Sequence, residues 1–438
     1  MDTPKLKNYI GAAVLLALSG AASAETLQEV VAQAVATNPQ VLTVNQRKEA
    51  ADAGIGVAAG GFLPRIDLQY GWGHATTKNP TTIAAGNDWV DLWRRQSSAV
   101  INQMLWDGLG VKSEVDRRKA ISKSVSHRVY GTAEEIGMQA IDAYLDVLRN
   151  RELVSFAKEN LQAHQRTFDQ IRLRSDQGVG RRADLDQTDA RLALTVSNLE
   201  SAESSLRDAE IAFERIVGRP PGDLATPIPP ATPRTLKEAL DIALDNHPIL
   251  KSARADVDAA VAQREAAKAL LSPRIELEGT YNGNKNLQGV PGPYNEKSLM
   301  LWARWNAYRG GSDYYRMKET TFQIDEAAEI ANNTRRQVES AVRLAVNAHQ
   351  TARNRLPSLE RYVKSADSTR DAYSRQFAIG QRTLLDLLDS ENEYYTARAT
   401  QLAGKFIEIS AQYRLLNATG QLLSSLNVAA PPQSVPIY

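Results

Sequence analysis

Two stretches of the chain place an apolar residue at every seventh position. The first series is Leu185, Leu192, Leu199, Leu206 and Phe213, and the second is Leu388, Tyr395, Leu402, Ile409 and Leu416. A seven-residue apolar repeat held over several steps indicates helices that supercoil around one another. Residues 81–219 contain no proline. The pattern therefore predicts coiled-coil helices that are much longer than the usual three turns.

Two shorter segments alternate apolar and polar residues with a period of two, and two partner segments, at about 97–106 and 298–306, alternate less cleanly. Ile66, Leu68, Tyr70 and Trp72 alternate with polar residues or glycine, and a similar pattern starts at Ile275. Such alternation gives a strand one apolar and one polar face. The pattern predicts two β-hairpins, with strands at about 62–77 and 94–107 and at about 272–283 and 297–307.

The two halves of the chain follow one plan. Thr-Leu-Gln-Glu at 26–29 recurs as Thr-Leu-Lys-Glu at 235–238, and Pro-Arg-Ile-Asp-Leu at 64–68 recurs at the same offset as Pro-Arg-Ile-Glu-Leu at 273–277. An internal repeat of this length indicates one architecture used twice. Each copy is predicted to run as a helix, two strands and a long helical hairpin.

The repeat divides the chain into segments. The first structural repeat covers 25–219 with a helical hairpin at about 111–217, a proline-rich linker covers 220–234, and the second repeat covers 235–424 with a helical hairpin at about 310–424. Residues 425–438 are expected to form an extended or disordered tail. Pro357 is expected to kink or break the long helix of the second copy, because proline lacks an N–H and crowds the preceding turn.

The tryptophans are confined to the predicted strands and their flanks. They are Trp72, Trp89, Trp93, Trp106, Trp302 and Trp305. This confinement is typical of a membrane-interface belt, where the ring is apolar and its N–H is hydrated. Four strands are too few to close a transmembrane barrel, so several chains would have to share one. The residues alone do not decide whether two or three chains share the barrel. They are also compatible with an alternative in which the two hairpins are soluble and have aromatic faces.

The composition removes several classes of function. Lys and Arg number 52 against 51 Asp and Glu, so no overall basic field exists to bind nucleic acid. The chain has no cysteine, which excludes disulfides, thiolate metal sites, a thiol nucleophile and an acylated lipid anchor. No recognisable nucleophile, metal or paired-acid constellation suggests an enzyme, and no cofactor is expected. Residues 1–24 read as a secretory signal peptide ending in Ala22-Ser23-Ala24.

The chain resembles the TolC family of outer membrane efflux proteins. The resemblance rests on the duplicated plan, on Leu-Trp-Asp-Gly at 105–108 and Tyr-Arg-Gly-Gly at 308–311, and on Gly-Gln-Arg-Thr-Leu-Leu-Asp-Leu-Leu-Asp at 380–389. It implies a mainly α-helical fold with a small transmembrane β part. Three copies would form a 12-stranded outer membrane β-barrel continued by a periplasmic α-helical barrel.

The resemblance also implies partners and a function. The homotrimer would be an exit duct in outer membrane lipid of a Gram-negative bacterium. It would work with a periplasmic adaptor (membrane-fusion) protein and an inner membrane transporter, of ABC or proton-driven type, in efflux or type I secretion. The alternative from the residues alone is a periplasmic coiled-coil scaffold without a pore.

Two aspartates are candidates for a pore constriction. Asp386 and Asp389 are three residues apart and so share a helix face, a spacing most often found on an ordinary hydrated surface. The resemblance implies instead that they ring the closed periplasmic entrance, where clustered carboxylates attract multivalent cations. It further implies a gate latch in which Arg382 links to Asp184. Phe377 stands where the family often has tyrosine, so a latch hydroxyl is missing.

The turns of the two helical hairpins are the expected adaptor-docking tips. Glycines there permit tight turns and need no functional explanation by themselves. The resemblance implies docking of the adaptor's own hairpins at both turns. The residues concerned are Gly178, Val179, Gly180, Arg181, Arg182, Gly380 and Gln381.

Overall fold

The computed structural model describes residues 24–436. The expected signal peptide therefore lies outside the described residues, except for Ala24. In the first copy the elements are α1 (Leu27–Thr37), α2 (Pro39–Ala59), β1 (Arg65–Thr77), α3 (Pro80–Ala84), β2 (Val90–Trp106), α4 (Gly110–Asp176) and α5 (Arg182–Val217). α1 begins at a capping box in which Thr26 and Glu29 each accept the other's backbone N–H, satisfying donors that a helix start leaves free.

The second copy repeats this order. Its elements are α6 (Leu236–Asn246), α7 (Pro248–Lys268), β3 (Arg274–Lys285), β4 (Pro293–Arg304), α8 (Ser312–Ala378), α9 (Leu384–Ala418) and a short α10 (Leu422–Ser425). Thr235 caps α6 as Thr26 caps α1, because its side chain accepts the Glu238 N–H. A mainly helical fold with a small β part is thus confirmed.

The strands form one antiparallel sheet in the order β1-β2-β3-β4. Its pairing puts Ile66 opposite Ile101 and Leu277 opposite Leu301, so these residues share the apolar face. Glu278 lies opposite Asn102 on the other, polar face. β2 starts at Val90, earlier than the expected position near 94, because Val90 still pairs with Thr77 in the lengthened hairpin.

Helices of both copies build one principal core. Val31 of α1, Tyr144 of α4, Phe213 of α5 and Leu416 of α9 are all at most 1% exposed and belong to the same apolar cluster. Phe213 and Leu416 are members of the two seven-residue series described above. The apolar repeat therefore marks the helix faces that pack the two copies together.

The second copy differs from two expectations. α8 is not broken at Pro357 and continues through it as one helix of 67 residues. Pro357 removes the donor to the carbonyl of Arg353, and both residues are exposed, where water can replace the missing hydrogen bond. Residues 425–436 are not an extended or disordered tail: Val428 is buried in the principal core, and a short 3₁₀ helix at Pro432–Ser434 follows.

Glu134 of α4 anchors the turn that leads into this tail. Its carboxylate accepts the backbone N–H groups of Leu422 and Leu423, each at 3.0 Å, and the side chain is 2% exposed. Both leucines are fully buried. Burial raises the pKa of Glu134 to about 7, although the two N–H groups and Tyr130 oppose this by stabilising the carboxylate.

The raised pKa predicts how stability depends on pH. The folded protein takes up a proton on Glu134 near pH 7 and the unfolded chain only near pH 4.5, so the contribution of this group to stability grows as the pH is lowered from about 8 to 5. We expect the unfolding free energy of the native protein, relative to Glu134→Gln, to rise over this interval by up to about 3 kcal/mol. Denaturant unfolding in detergent measures the difference.

The comparison with Glu134→Gln is needed because other groups near the turn titrate in the opposite sense. Burial lowers the pKa of both His127 and His247, so protonating them at low pH destabilises the fold. These contributions are the same in both variants and cancel in the difference. Parallel pH profiles for the two proteins would contradict the prediction.

Candidate functional site at the hairpin tips

The two long helical hairpins end in tight, exposed turns. Gly178 lies between α4 and α5 with φ of +74°, and Gly380 lies between α8 and α9 with φ of +77°, a left-handed conformation that glycine adopts without strain. Beside them, Val179 is 77% exposed and Ile379 is 69% exposed. Both turns therefore present uncovered apolar side chains at their ends.

The other tip residues of the first hairpin are shaped by its turn. The Gly180 N–H donates to the carbonyl of Arg174 and closes the end of α4. Arg181 and Arg182 are exposed, and the Arg182 guanidinium lies 3.6 Å from the Asp186 carboxylate on the same helix. In the second turn the Gln381 N–H donates to the carbonyl of Gln376. Adaptor docking at these residues stays a prediction.

An apolar cluster joins the two hairpins close to their tips. It brings together Ile171 of α4, Leu384 and Leu388 of α9, Leu185 of α5 and Phe377 of α8. We call these five residues the clasp. Leu388 is 1% exposed. The Arg174 guanidinium lies 5.5 Å from the centre of the Phe377 ring, a cation–π contact between α4 and α8. Phe377 thus contributes packing between α8 and α4.

Asp386 belongs to the cap that starts α9. Its carboxylate accepts the Thr383 hydroxyl at 2.8 Å and the Thr383 N–H at 3.2 Å, while the Thr383 hydroxyl accepts the Asp386 N–H. These hydrogen bonds, with a smaller contribution from Arg382, hold the pKa of Asp386 below its usual value. Asp386 is therefore ionised at neutral pH and lies at the helix start, where negative charge is favoured.

Asp389 is paired with an arginine of the other hairpin. The Arg191 guanidinium on α5 donates to the Asp389 carboxylate at 2.8 Å. Arg191 is not among the predicted site residues, because no periodicity fixes which residues of two helices face each other. Asp386 and Asp389 share a face of α9 as predicted, but their surroundings differ.

Arg382 makes its contacts within the second hairpin. Its guanidinium lies 4.2 Å from the centre of the Tyr373 ring, donates to the Gln376 side chain at 3.0 Å and approaches the Asp386 carboxylate to 3.8 Å. Among the described residues of this single chain, Arg382 and Asp184 do not form an ion pair. A latch between these two residues stays a prediction.

The tryptophans occupy three positions on the sheet. Trp72 and Trp93 stack at 4.6 Å on the apolar face toward the β1–β2 turn, and Trp89 lies just before β2. Trp106 and Trp305 lie at the opposite ends of the strands, beside the helices. Trp302 departs from the expected belt: it pairs with Glu276 and contacts the Arg304 guanidinium. The β4 register turns this ring to the polar face.

Two properties of residues 24–436 bear on other functions. No helix in that range is both long and apolar enough to cross a membrane. The same residues contain no group of three or more metal-binding side chains arranged to hold an ion.

Comparison with known proteins identifies the class and then the family. The solved outer-membrane channel OprN superposes with a TM-score of 0.77 at 20% identity, over 93% of this chain and 91% of that one, so the two share a fold. The outer membrane efflux protein family model matches residues 30–219 and 239–426. The chain belongs to this family, and the resemblance to TolC-like proteins is confirmed.

Relatives of known role match over nearly the full length. The outer membrane efflux protein BepC of Brucella suis biovar 1 is 25% identical, over 95% of this chain and 91% of the relative. TolC of Vibrio cholerae is 26% identical, over 95% and 96%. The alkaline protease secretion protein AprF of Pseudomonas aeruginosa is 24% identical, over 96% and 90%. The chain is an outer membrane protein with the general role of an exit channel.

Proposed function

We propose that three copies of this chain form a continuous exit duct, built from a shared 12-stranded barrel and a periplasmic helical tunnel. The observation that carries the proposal is the apolar face of the sheet. Leu68, Leu299 and Leu301 on this face are 65–78% exposed in the single chain, as expected of residues that contact lipid. β1 and β4 each have one unpaired edge, and an open edge cannot face hydrocarbon. Pairing β4 of one copy with β1 of the next removes every edge.

The proposed duct acts with a periplasmic adaptor and an inner membrane transporter. The exposed tips supply a docking surface for the adaptor, with Val179 and Ile379 as apolar contacts and Arg181 and Arg182 as charged ones. Relatives named for efflux and for protease secretion favour export of small molecules or proteins. The scaffold alternative does not explain a sheet with one exposed apolar face.

In the proposed closed state, Asp386 and Asp389 surround the periplasmic entrance of the trimer. The clasp holds the second hairpin against the first, and the link between Arg382 and Asp184 of neighbouring chains adds to closure. Adaptor binding shifts the population toward hairpins that have separated.

Planar-bilayer conductance tests this function. We expect the native protein to give a small, cation-selective conductance that hexaamminecobalt(III) blocks from the periplasmic side. Asp386→Ala/Asp389→Ala should lose the cation preference and weaken the block about tenfold or more, because the double substitution removes negative charge that attracts a nearby trivalent ion by an energy of order 1 kcal/mol or more.

A matched control removes two carboxylates from the other tip. Asp176 and Asp186 are both 68% exposed and pair only loosely with arginines of their own helices. Asp176→Ala/Asp186→Ala should keep near-native selectivity and block. A native protein with no conductance would support the scaffold, and equal behaviour of the two double variants would overturn the assignment of the constriction.

A further inference from the structure

The two aspartates of the proposed entrance are not electrically equivalent. Asp389 makes a direct ion pair with Arg191 at 2.8 Å. The side chain of Asp389 is 57% exposed to solvent and that of Arg191 is 31% exposed. Among residues 24–436, the cation closest to the Asp386 carboxylate is Arg382 at 3.8 Å, and the Arg382 side chain is also stacked on Tyr373. One carboxylate is therefore closely neutralised and the other is held mainly by neutral Thr383 donors.

We propose that Arg191 is the built-in counter-ion of Asp389 and thereby sets the ion selectivity of the entrance, leaving Asp386 as the carboxylate that attracts cations. This inference rests on the proposed function and assigns a role to a residue of the first hairpin. A close ion pair presents a dipole to a passing ion in place of a net charge. Its attraction falls off faster with distance than that of a lone carboxylate.

The surroundings of Arg191 support a lasting positive charge there. A buried group that senses this charge is His164 of α4, which is 4% exposed. Burial lowers the pKa of His164, and the Arg191 charge lowers it further. His164 is therefore neutral at pH 7 and does not compete for Asp389.

Four variants distinguish a counter-ion from a purely structural link between α5 and α9. Arg191→Gln should make the entrance more cation-selective and lower the half-blocking concentration of hexaamminecobalt(III) by about fivefold or more, since it uncovers one carboxylate per chain. Asp389→Asn should do the reverse, because it leaves the arginine uncompensated. Arg191→Lys keeps the charge and should stay near native. The double variant Arg191→Gln/Asp389→Asn removes both charges and should return to near-native selectivity.

The measurements are the reversal potential in a KCl gradient and the block curve, recorded for each purified protein together with its thermal unfolding. Should the double variant behave like Asp389→Asn alone, Arg191 is not the counter-ion and the inference is wrong. The same holds if Arg191→Gln matches the native protein. A purely structural link would be lost in both Arg191→Gln and the double variant, so it predicts no recovery in the double variant.

Failure of the inference can be told apart from failure of the proposed function. If Asp386→Asn abolishes cation selectivity while the Arg191 variants follow neither expectation, the entrance stands and the counter-ion role falls. If Asp386→Asn leaves the selectivity unchanged, the constriction itself is misplaced and the inference falls with it.

Discussion

Glu134→Ala is expected to lower the unfolding free energy by about 2 to 4 kcal/mol at pH 6. The substitution leaves the buried N–H groups of Leu422 and Leu423 without their acceptor, and an unsatisfied buried donor costs about 1 to 3 kcal/mol. It also leaves a small cavity beside the principal core, which adds to the loss. Denaturant or thermal unfolding of the full chain in detergent measures it.

The neighbouring residue provides the control. Glu135 is exposed, and its side chain accepts a long hydrogen bond from the Gln139 side chain on the same helix. Glu135→Ala should therefore change stability by no more than about 0.5 kcal/mol. Limited proteolysis gives a second readout, because loss of the anchor should expose the segment after Ala418 to cleavage first. Equal stability of the two variants would show that the turn is held by its leucines alone.

The sequence was informative wherever a pattern repeats along one element. The seven-residue series predicted the long helices, and alternation around Ile66 and Ile275 predicted strands with one apolar face. The recurrence of Thr-Leu-Gln-Glu at 26–29 as Thr-Leu-Lys-Glu at 235–238 predicted that the two copies share one plan, because the repeat is visible in the sequence itself. Each of these features is set by spacing along the chain.

The misses share a different physical origin, since they depend on which surfaces meet. The Arg191–Asp389 pair and the Glu134 anchor join segments about 200 or more residues apart, and no period specifies such a register. The face on which Trp302 lies was not predicted, because β4 alternates poorly and only its pairing with β3 places this ring on the polar face. The tail lacks a long apolar pattern, so nothing in its sequence indicated that Val428 packs in the principal core.

Leu388→Asp is expected to open the proposed entrance. Leu388 is 1% exposed in the clasp, between α9 and Ile171 of α4. An aspartate there is an uncompensated buried charge, which costs about 3 to 5 kcal/mol. Separating the two hairpins lets water reach the carboxylate and relieves this cost, so the substitution favours the open arrangement in each chain.

The size of the effect follows from population arithmetic. Taking a two-state entrance from 1:99 to 99:1 requires about 5.5 kcal/mol, so about 3 to 5 kcal/mol acting in each of three chains is enough to make the open form dominant. Single-channel conductance should rise several-fold, with weaker block by hexaamminecobalt(III) as the carboxylates move apart.

Leu385 is 45% exposed one turn earlier on α9, so Leu385→Asp adds the same charge to a hydrated position and should leave conductance near native. If Leu388→Asp and Leu385→Asp gave the same conductance, the added charge would be the cause and not the loss of the clasp. If Leu388→Asp conducted as the native protein does and unfolded at a lower temperature, the clasp would stabilise the fold without closing the entrance.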